Sequence, residues 1–304
     1  MTESRRRFLI QSSRLGAAAL AAPWVSARRA FSTPLGRPVG IQLYTVKEAM
    51  LENPAGTLNK IRQIGFGEVE TAGFGKLSAK QFRGLLDDAG LACPSAHLQF
   101  DNPGAAFEDA HVLGARYAAA GSLHASASDP NLADTVWTPS MNLDDAKRTA
   151  RLANHIGEAA KRAGLQFVYH NHNFEFADQG GGVVAYDVLL RETDPDLVKF
   201  EIDCGWMIFA GRNPIDYFKK YPNRFPMIHV KDFLPVHDNG AVAGGKAPML
   251  GAELGHGVVD YKPIFAAAAA AGLKHYFVEQ EGPFSRMNPL QSVQVDCDYL
   301  RSIS

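Results

Sequence analysis

The chain has 304 residues, with 31 Lys and Arg against 32 Asp and Glu, 46% hydrophobic residues and three Cys. A charged fraction of 21% at a net charge of -1 excludes both a highly charged disordered chain and the basic balance of a nucleic-acid binder. Cys93, Cys204 and Cys297 form no Cys-x-x-Cys pair, which argues against a disulfide scaffold and a cysteine-type zinc site.

The first 27 residues stand apart. Ser4-Arg5-Arg6-Arg7-Phe8-Leu9-Ile10 is followed by an apolar run over 15–25 and by Val25-Ser26-Ala27, whose small last residue suits signal peptidase. This resembles a twin-arginine export signal and implies cleavage after Ala27 and a periplasmic destination. The apolar run is shorter than the ~20 residues of a spanning helix, so no stable membrane anchor is expected. Without residues 1–27, which hold four Arg and one Glu, 277 residues remain with 27 basic and 31 acidic side chains, a net charge of -4. That acidity argues further against nucleic acid as a partner. The twin-arginine route carries folded proteins, which suits an enzyme that takes up its metal before export. Residues 28–37 read as a linker and 38–304 as one domain.

From about residue 38, short β-type runs alternate with amphipathic helical stretches eight times. The strands are expected at 39–46, 68–72, 92–98, 117–121, 166–172, 198–204, 227–232 and 275–281. The helices are expected at 54–64, 79–89, 106–113, 143–163, 186–191, 215–220, 261–271 and 290–303. Gly65, Gly90, Gly164 and Gly272 each stand where a helix stops and a strand follows. Asn53-Pro54, Ser78 and Asn213-Pro214 supply cap or first-turn residues at helix starts. Eight such units in about 265 residues predict a single (β/α)8 TIM barrel. A doubly wound sheet fits less well, because Lys47-Glu48-Ala49-Met50 after the first strand offers no Gly-rich phosphate loop. The alanines at 266–271 read as close helix packing. The Gly-rich stretch 234–257 breaks the rhythm and reads as a long loop on the active-site face, either a lid or a disordered segment.

Period-2 alternation aims a set of polar side chains into the barrel. Glu201 and Asp203 point inward on the sixth strand if Phe200 and Ile202 face the helices. His229 and Lys231 do so on the seventh, Glu279 on the eighth, and His170 and His172 on the fifth, with Glu175 just beyond. Burying so many ionisable groups would cost several kcal/mol each without compensation. A divalent cation is the simplest compensation, and carboxylates with an imidazole suit manganese, magnesium, cobalt or zinc without discriminating among them; manganese is the expected ion.

These residues resemble the xylose isomerase-like barrel superfamily, in particular the sugar phosphate isomerase/epimerase group related to inosose dehydratase and ketose 3-epimerases. The resemblance runs from Gly40-Ile41-Gln42-Leu43-Tyr44 to Val278-Glu279-Gln280. It is carried most specifically by Tyr169-His170-Asn171-His172-Asn173-Phe174-Glu175-Phe176, Glu201-Ile202-Asp203-Cys204-Gly205-Trp206, His229-Val230-Lys231-Asp232 and Leu254-Gly255-His256-Gly257. The superfamily binds one divalent metal through Glu, Asp, His and a second Glu, which implies Asp203, His229 and Glu279 here. The first ligand departs from the epimerase pattern. The inward place in the fifth strand holds His170, so Glu175 is the expected ligand and His170 the alternative.

The resemblance implies an isomerase or epimerase that moves a proton beside a sugar carbonyl through an enediolate. Glu279 and either Glu175 or one of His170 and His172 would act as acid and base. His97 and Lys231 are candidates for binding substrate oxygens, and Trp206 and Tyr44 for stacking on a sugar ring. A His/Glu pair instead of two Glu would suit one-sided proton removal and elimination, so a lyase or dehydratase acting on 3-keto glycosides is the nearest rival. A non-catalytic carbohydrate-binding barrel is a second rival. A DNA-repair endonuclease is disfavoured by the net charge and by too few ligands for a multi-metal cluster. Homo-oligomerisation stays open.

Overall fold

The computed structural model describes residues 33–121, 123, 140–235, 250–282, 284 and 287–303. The leader at 1–27 with its Ala27 junction, the first part of the 28–37 linker, and 236–249 of the long loop lie outside the described residues.

Ten strands follow in chain order. They are β1 (Gly40–Gln42), β2 (Glu68–Ala72), β3 (Ala92–His97), β4 (Tyr117–Ala120), β5 (Gln166–His170), β6 (Val198–Asp203), β7 (Met227–Val230), β8 (Asp232–Phe233), β9 (Gly251–Ala252) and β10 (His275–Val278). β1 to β7 pair in parallel with their sequence neighbours, and β10 closes the ring between β7 and β1. This is the eight-stranded barrel that the alternation predicts. β8 and β9 form a separate antiparallel pair above it.

The helices are α1 (Lys47–Glu52), α2 (Pro54–Ile64), α3 (Ala79–Ala89), α4 (Pro103–Leu113), α5 (Leu143–Arg162), α6 (Ala185–Glu192), α7 (Cys204–Phe209), α8 (Pro214–Lys220), α9 (Tyr261–Ala270) and α10 (Pro289–Ser302). Their starts are set by side-chain caps. Asn53 and Asn213 accept backbone N–H groups of Gly56 and Ile215, and Ser78 forms a reciprocal capping box with Gln81. Asn142 and Asn288 do the same for α5 and α10. α4 starts three residues before the expected 106, because Asn102 caps it and Pro103 takes the first helical position, where no N–H is needed.

Apolar residues divide between two places. The large core lies between strands and helices, where Phe167, Tyr169, Phe200, Ile202, Ile228, Val230 and Val278 face outward. A smaller cluster of Tyr117, Ala119, Val168, Met227 and Phe277 fills the lower barrel interior. On β5, on β7 and just past β10 the residues two places further along, His170, His229 and Glu279, form the next interior layer, and they are polar.

Several strands stop short of their expected ends. β1 gives way to a 3-10 turn over Leu43–Val46, where the Gln42 side chain accepts the Tyr44 N–H. After β5 the His172 N–H bonds to Glu175, and beyond β10 the Gln280 N–H bonds to Thr45 Oγ1. Past β7 the Tyr261 hydroxyl bridges the Lys231 backbone N–H and C=O. Side-chain partners replace the strand ladder for these backbone groups, so pairing ends there without leaving them unsatisfied. Cys204, the expected end of the sixth strand, instead begins α7, capped by Asp203.

The long loop is tied back at its near end. Asp232 Oδ1 accepts N–H groups of Phe233, Val258 and Val259, and Oδ2 accepts those of Gly255 and Gly257. A Cβ at Gly257 would lie 2.1 Å from Asp232 Oδ1, so the close approach needs glycine. This accounts for the Leu254-Gly255-His256-Gly257 motif as a cradle around one carboxylate. Among the described residues no helix is long and apolar enough to cross a membrane.

Candidate metal centre and active site

The upper barrel layer is assembled by strand register. Gln42 lies beside Glu70, Glu70 beside Ser95, His170 beside Glu201, and Asp203 beside His229. Each of these side chains points inward, so neighbouring strands bring them into contact. Glu70 accepts from Gln42 Nε2 at 2.9 Å, from the Ser95 hydroxyl, and meets His229 Nε2 at 2.7 Å. Glu201 Oε2 lies 3.1 Å from ring nitrogens of His97, His170 and His229. One level higher, Glu279 Oε2 is 3.0 Å from His229 Nδ1 and 2.9 Å from Lys231 Nζ. Lys231, fully buried, also contacts Asp203 Oδ2 at 2.8 Å and Glu281 Oε1 at 2.6 Å.

Burial is the largest single influence on Glu70, His97, Glu201, His229, Lys231 and Glu279 and disfavours their charged forms, but opposite charges at hydrogen-bond distance outweigh it. Glu70 and Glu201 raise His97 to about 10 despite that burial. Glu201 and Glu279 likewise lift His229 well above the usual imidazole range, and Asp203, Glu279 and Glu281 lift Lys231. His229 holds Glu201 well below the carboxylate range, and Lys231 does the same for Glu279. Glu70 is pushed up by burial and by Glu201, yet ends lowered through His97 and His229. His172 goes the other way. Burial and the neighbouring His170 and Lys231 keep its imidazole neutral.

One ligand atom each from His170, Asp203, His229 and Glu279 lies within 4.8 Å of the other three, and all four residues are buried. Asp203 Oδ2 makes no hydrogen bond among the described residues, although Lys231 stands at ion-pair distance. Two carboxylates and two imidazoles form a mixed oxygen and nitrogen donor set that fits a divalent cation. His97, His170, Glu201 and His229 form a second, overlapping group of the same kind.

The structure therefore brings Asp203, His229 and Glu279 together with His170. It does not bring Glu175 into the group. Glu175 lies in a 3-10 turn, Phe174–Phe176, where its carboxylate accepts from the Tyr169 hydroxyl and the His172 N–H, both at 3.0 Å. The Tyr169 ring packs on Phe200 in the layer between strands and helices. Burial raises the Glu175 carboxyl to about 7. Lys231 pairs with neither Asp232 nor Glu201, because Asp232 is occupied by the loop and Glu201 by imidazoles.

Above this layer opens a cavity of about 900 Å³ whose lining includes Tyr44, His97, His170, His172, Trp206 and Glu279. Tyr44 is 43% exposed, with Lys47 Nζ 3.8 Å from its ring centroid. Trp206 donates its indole N–H to Glu281 and covers Lys231, whose Nζ is 4.9 Å from the ring centroid. Gly205 lets α7 approach β7, since a Cβ there would lie 2.8 Å from Lys231 Cβ. Sequence reasoning passed over Glu70, Ser95, Gln42 and Glu281. Glu70 and Glu281 carried a readable signal, since each shares inward parity with a residue of its own strand, Glu68 and Glu279 respectively.

The family profile described as Xylose isomerase-like TIM barrel matches residues 58–303. The inosose dehydratase of Lacticaseibacillus casei is 30% identical over 164 residues, covering 50% of this chain and 53% of that enzyme. The chain thus spans about half the length of the curated relatives it matches. A sugar phosphate isomerase/epimerase from Parabacteroides distasonis superposes with a TM-score of 0.67 at 24% identity, covering 88% of this chain and 96% of that one. A xylose isomerase-like barrel from Mycobacterium smegmatis, solved in complex with magnesium, gives 0.63 at 18% identity, covering 90% and 98%. With the closed barrel, the inward polar layer and a profile match over most of its length, the chain belongs to the xylose isomerase-like TIM barrel family.

Proposed function

We propose that this protein is a metal-dependent carbohydrate lyase that removes a proton beside a carbonyl and expels a group from the next carbon. The observation that carries this reading is His170 at the fifth-strand place, which leaves Glu279 as the one glutamate in the His170, Asp203, His229 and Glu279 group. Two glutamates on opposite faces would favour epimerisation, whereas one carboxylate with imidazoles favours one-sided proton removal. The similarity to inosose dehydratases supports the same reading, over the isomerase or epimerase expected from sequence.

His170, Asp203, His229 and Glu279 would hold the cation, with manganese our first choice. Bound there, it supplies Lewis-acid polarisation of the carbonyl and hydroxyl oxygens. His172 is neutral and lines the cavity, so it can accept the carbon-bound proton as that C–H pair becomes the new C=C bond. His97 is protonated and lines the same cavity, so it can give a proton to the departing oxygen, which leaves with its bonding pair. Lys231 holds Glu279 ionised and pairs with Asp203. The twin-arginine leader makes the periplasm the proposed place of action.

Product analysis tests this. Metal-loaded protein is incubated with cyclic inosose-type ketoses and with 3-keto glycosides, and the products are weighed by mass spectrometry. Loss of water or of the aglycone alcohol is expected. In deuterated buffer, a product that loses no group and gains only the mass of one solvent deuterium would make the protein an epimerase instead.

A further inference from the structure

The cavity extends well beyond the four candidate ligands. Its volume of about 900 Å³ lies near the top of the ~300–1,000 Å³ range of drug-sized ligand sites and is several times that of one sugar ring. From the floor at His170 and Glu279 it continues to a side arm between the β2–α3 and β3–α4 loops. Phe74, Leu98, Ala105 and Ala106 line that arm, with Asp101 and Asp109 alongside. Gln99 and Asn102 stand on the same side, so the arm offers a second group apolar contact with amide and carboxylate partners beside it.

Charge narrows the ligand further. No lysine or arginine is among the described residues that line the cavity. Lys231 is buried against three carboxylates, and Lys47 lies over the Tyr44 ring. Five carboxylates surround the floor, those of Glu70, Glu201, Asp203, Glu279 and Glu281. Asp101 and Asp109 add two more negative charges in the arm. A phosphate on the described lining would face these carboxylates, with no arginine or lysine of that lining to receive it.

We propose that the substrate is an uncharged glycoside, its sugar ring at the polar floor and an apolar, aryl-class aglycone in the side arm, and that phosphorylated sugars are rejected. This rests on the carbohydrate reading above and specifies its substrate class. Elimination from such a compound breaks the bond from carbon to the aglycone oxygen, and the aglycone leaves as a neutral alcohol or phenol.

The test is binding without turnover, read by tryptophan fluorescence on metal-loaded full-length protein with glucose, glucose 6-phosphate and phenyl β-glucoside. None of these carries the 3-keto group that the proposed elimination needs, so failure here bears on the substrate class and leaves the chemistry to the product assay. Phenyl β-glucoside is expected to bind about tenfold or more tightly than glucose, and glucose 6-phosphate about tenfold or more weakly. The double substitution Asp101→Lys with Asp109→Lys should narrow the gap between glucose and its phosphate. The proposal is overturned if the phosphate binds as well as glucose, if the phenyl group adds nothing, or if the phenyl glucoside does not bind.

Discussion

Replacing Glu175 with Gln separates a metal ligand from a buried loop anchor. Burial raises this carboxyl from 4.5 to about 7, and its two oxygens accept from Tyr169 and His172. The group is fully buried, so the folded state favours the neutral acid. The stability linked to that preference is complete below pH 4.5, declines as pH rises toward 7, and stays lost above it. The shift corresponds to about 3 kcal/mol as an order of magnitude, of which about 2 kcal/mol falls between pH 5.5 and 8.5. Gln has nearly the shape of the protonated acid and does not ionise. Its oxygen can keep the His172 N–H while its amide donates to the Tyr169 oxygen. Urea unfolding of both proteins at pH 5.5 and 8.5 should therefore show the variant gaining about 2 kcal/mol on the wild type at the higher pH. Manganese affinity by titration calorimetry should stay within about threefold. Parallel stabilities at both pH values would refute the burial argument. An affinity loss beyond about 100-fold, more than removal of a supporting partner usually costs, would make Glu175 a ligand.

Gly205→Ala places a methyl 2.8 Å from Lys231 Cβ and 3.0 Å from its carbonyl oxygen. The overpacking should cost about 1–3 kcal/mol in unfolding measurements and lower kcat/KM on the order of tenfold to a hundredfold by displacing the ammonium; a variant equal to wild type in both would remove Lys231 from the account. Asp232→Asn turns an amide toward the Gly255 and Gly257 N–H groups, losing two charge-assisted bonds worth about 3–6 kcal/mol in all. Its melting temperature should fall by on the order of 10 °C in calorimetry, and a fall of under about 2 °C would contradict the loop-anchor role. Cation binding at the four-residue group must displace the proton that His229 holds in the metal-free protein. Apparent metal affinity should therefore rise about tenfold or more per pH unit between pH 6 and 8, whereas a flat profile would show that no imidazole there is a ligand.

The barrel was legible because each strand and helix obeys its own period, and because Asn53, Ser78 and Asn213 mark helix starts. Inward parity placed His170, Asp203, His229, Lys231 and Glu279 inside the barrel, and strand register then sets Asp203 beside His229 and His170 beside Glu201. Glu70 was harder to see, since its meaning depends on His229, 159 residues away, which alternation within one strand cannot supply. The direction of Glu175 was not legible either. It follows a strand that ends at His170, and a 3-10 turn, not strand parity, aims its carboxylate. The strand ends were overestimated for a related reason, since backbone groups near the site bond to side chains brought from other elements.

The central claim is that a divalent cation held by His170, Asp203, His229 and Glu279 permits proton removal beside a carbonyl. Its most direct measurement is solvent deuterium incorporation into a 3-keto glycoside or its product, with metal-free protein, with manganese restored, and with Asp203→Asn in manganese. The account predicts incorporation or elimination only in the manganese-restored wild type. Equal rates in metal-free and manganese-loaded protein, or full activity in Asp203→Asn, would contradict it.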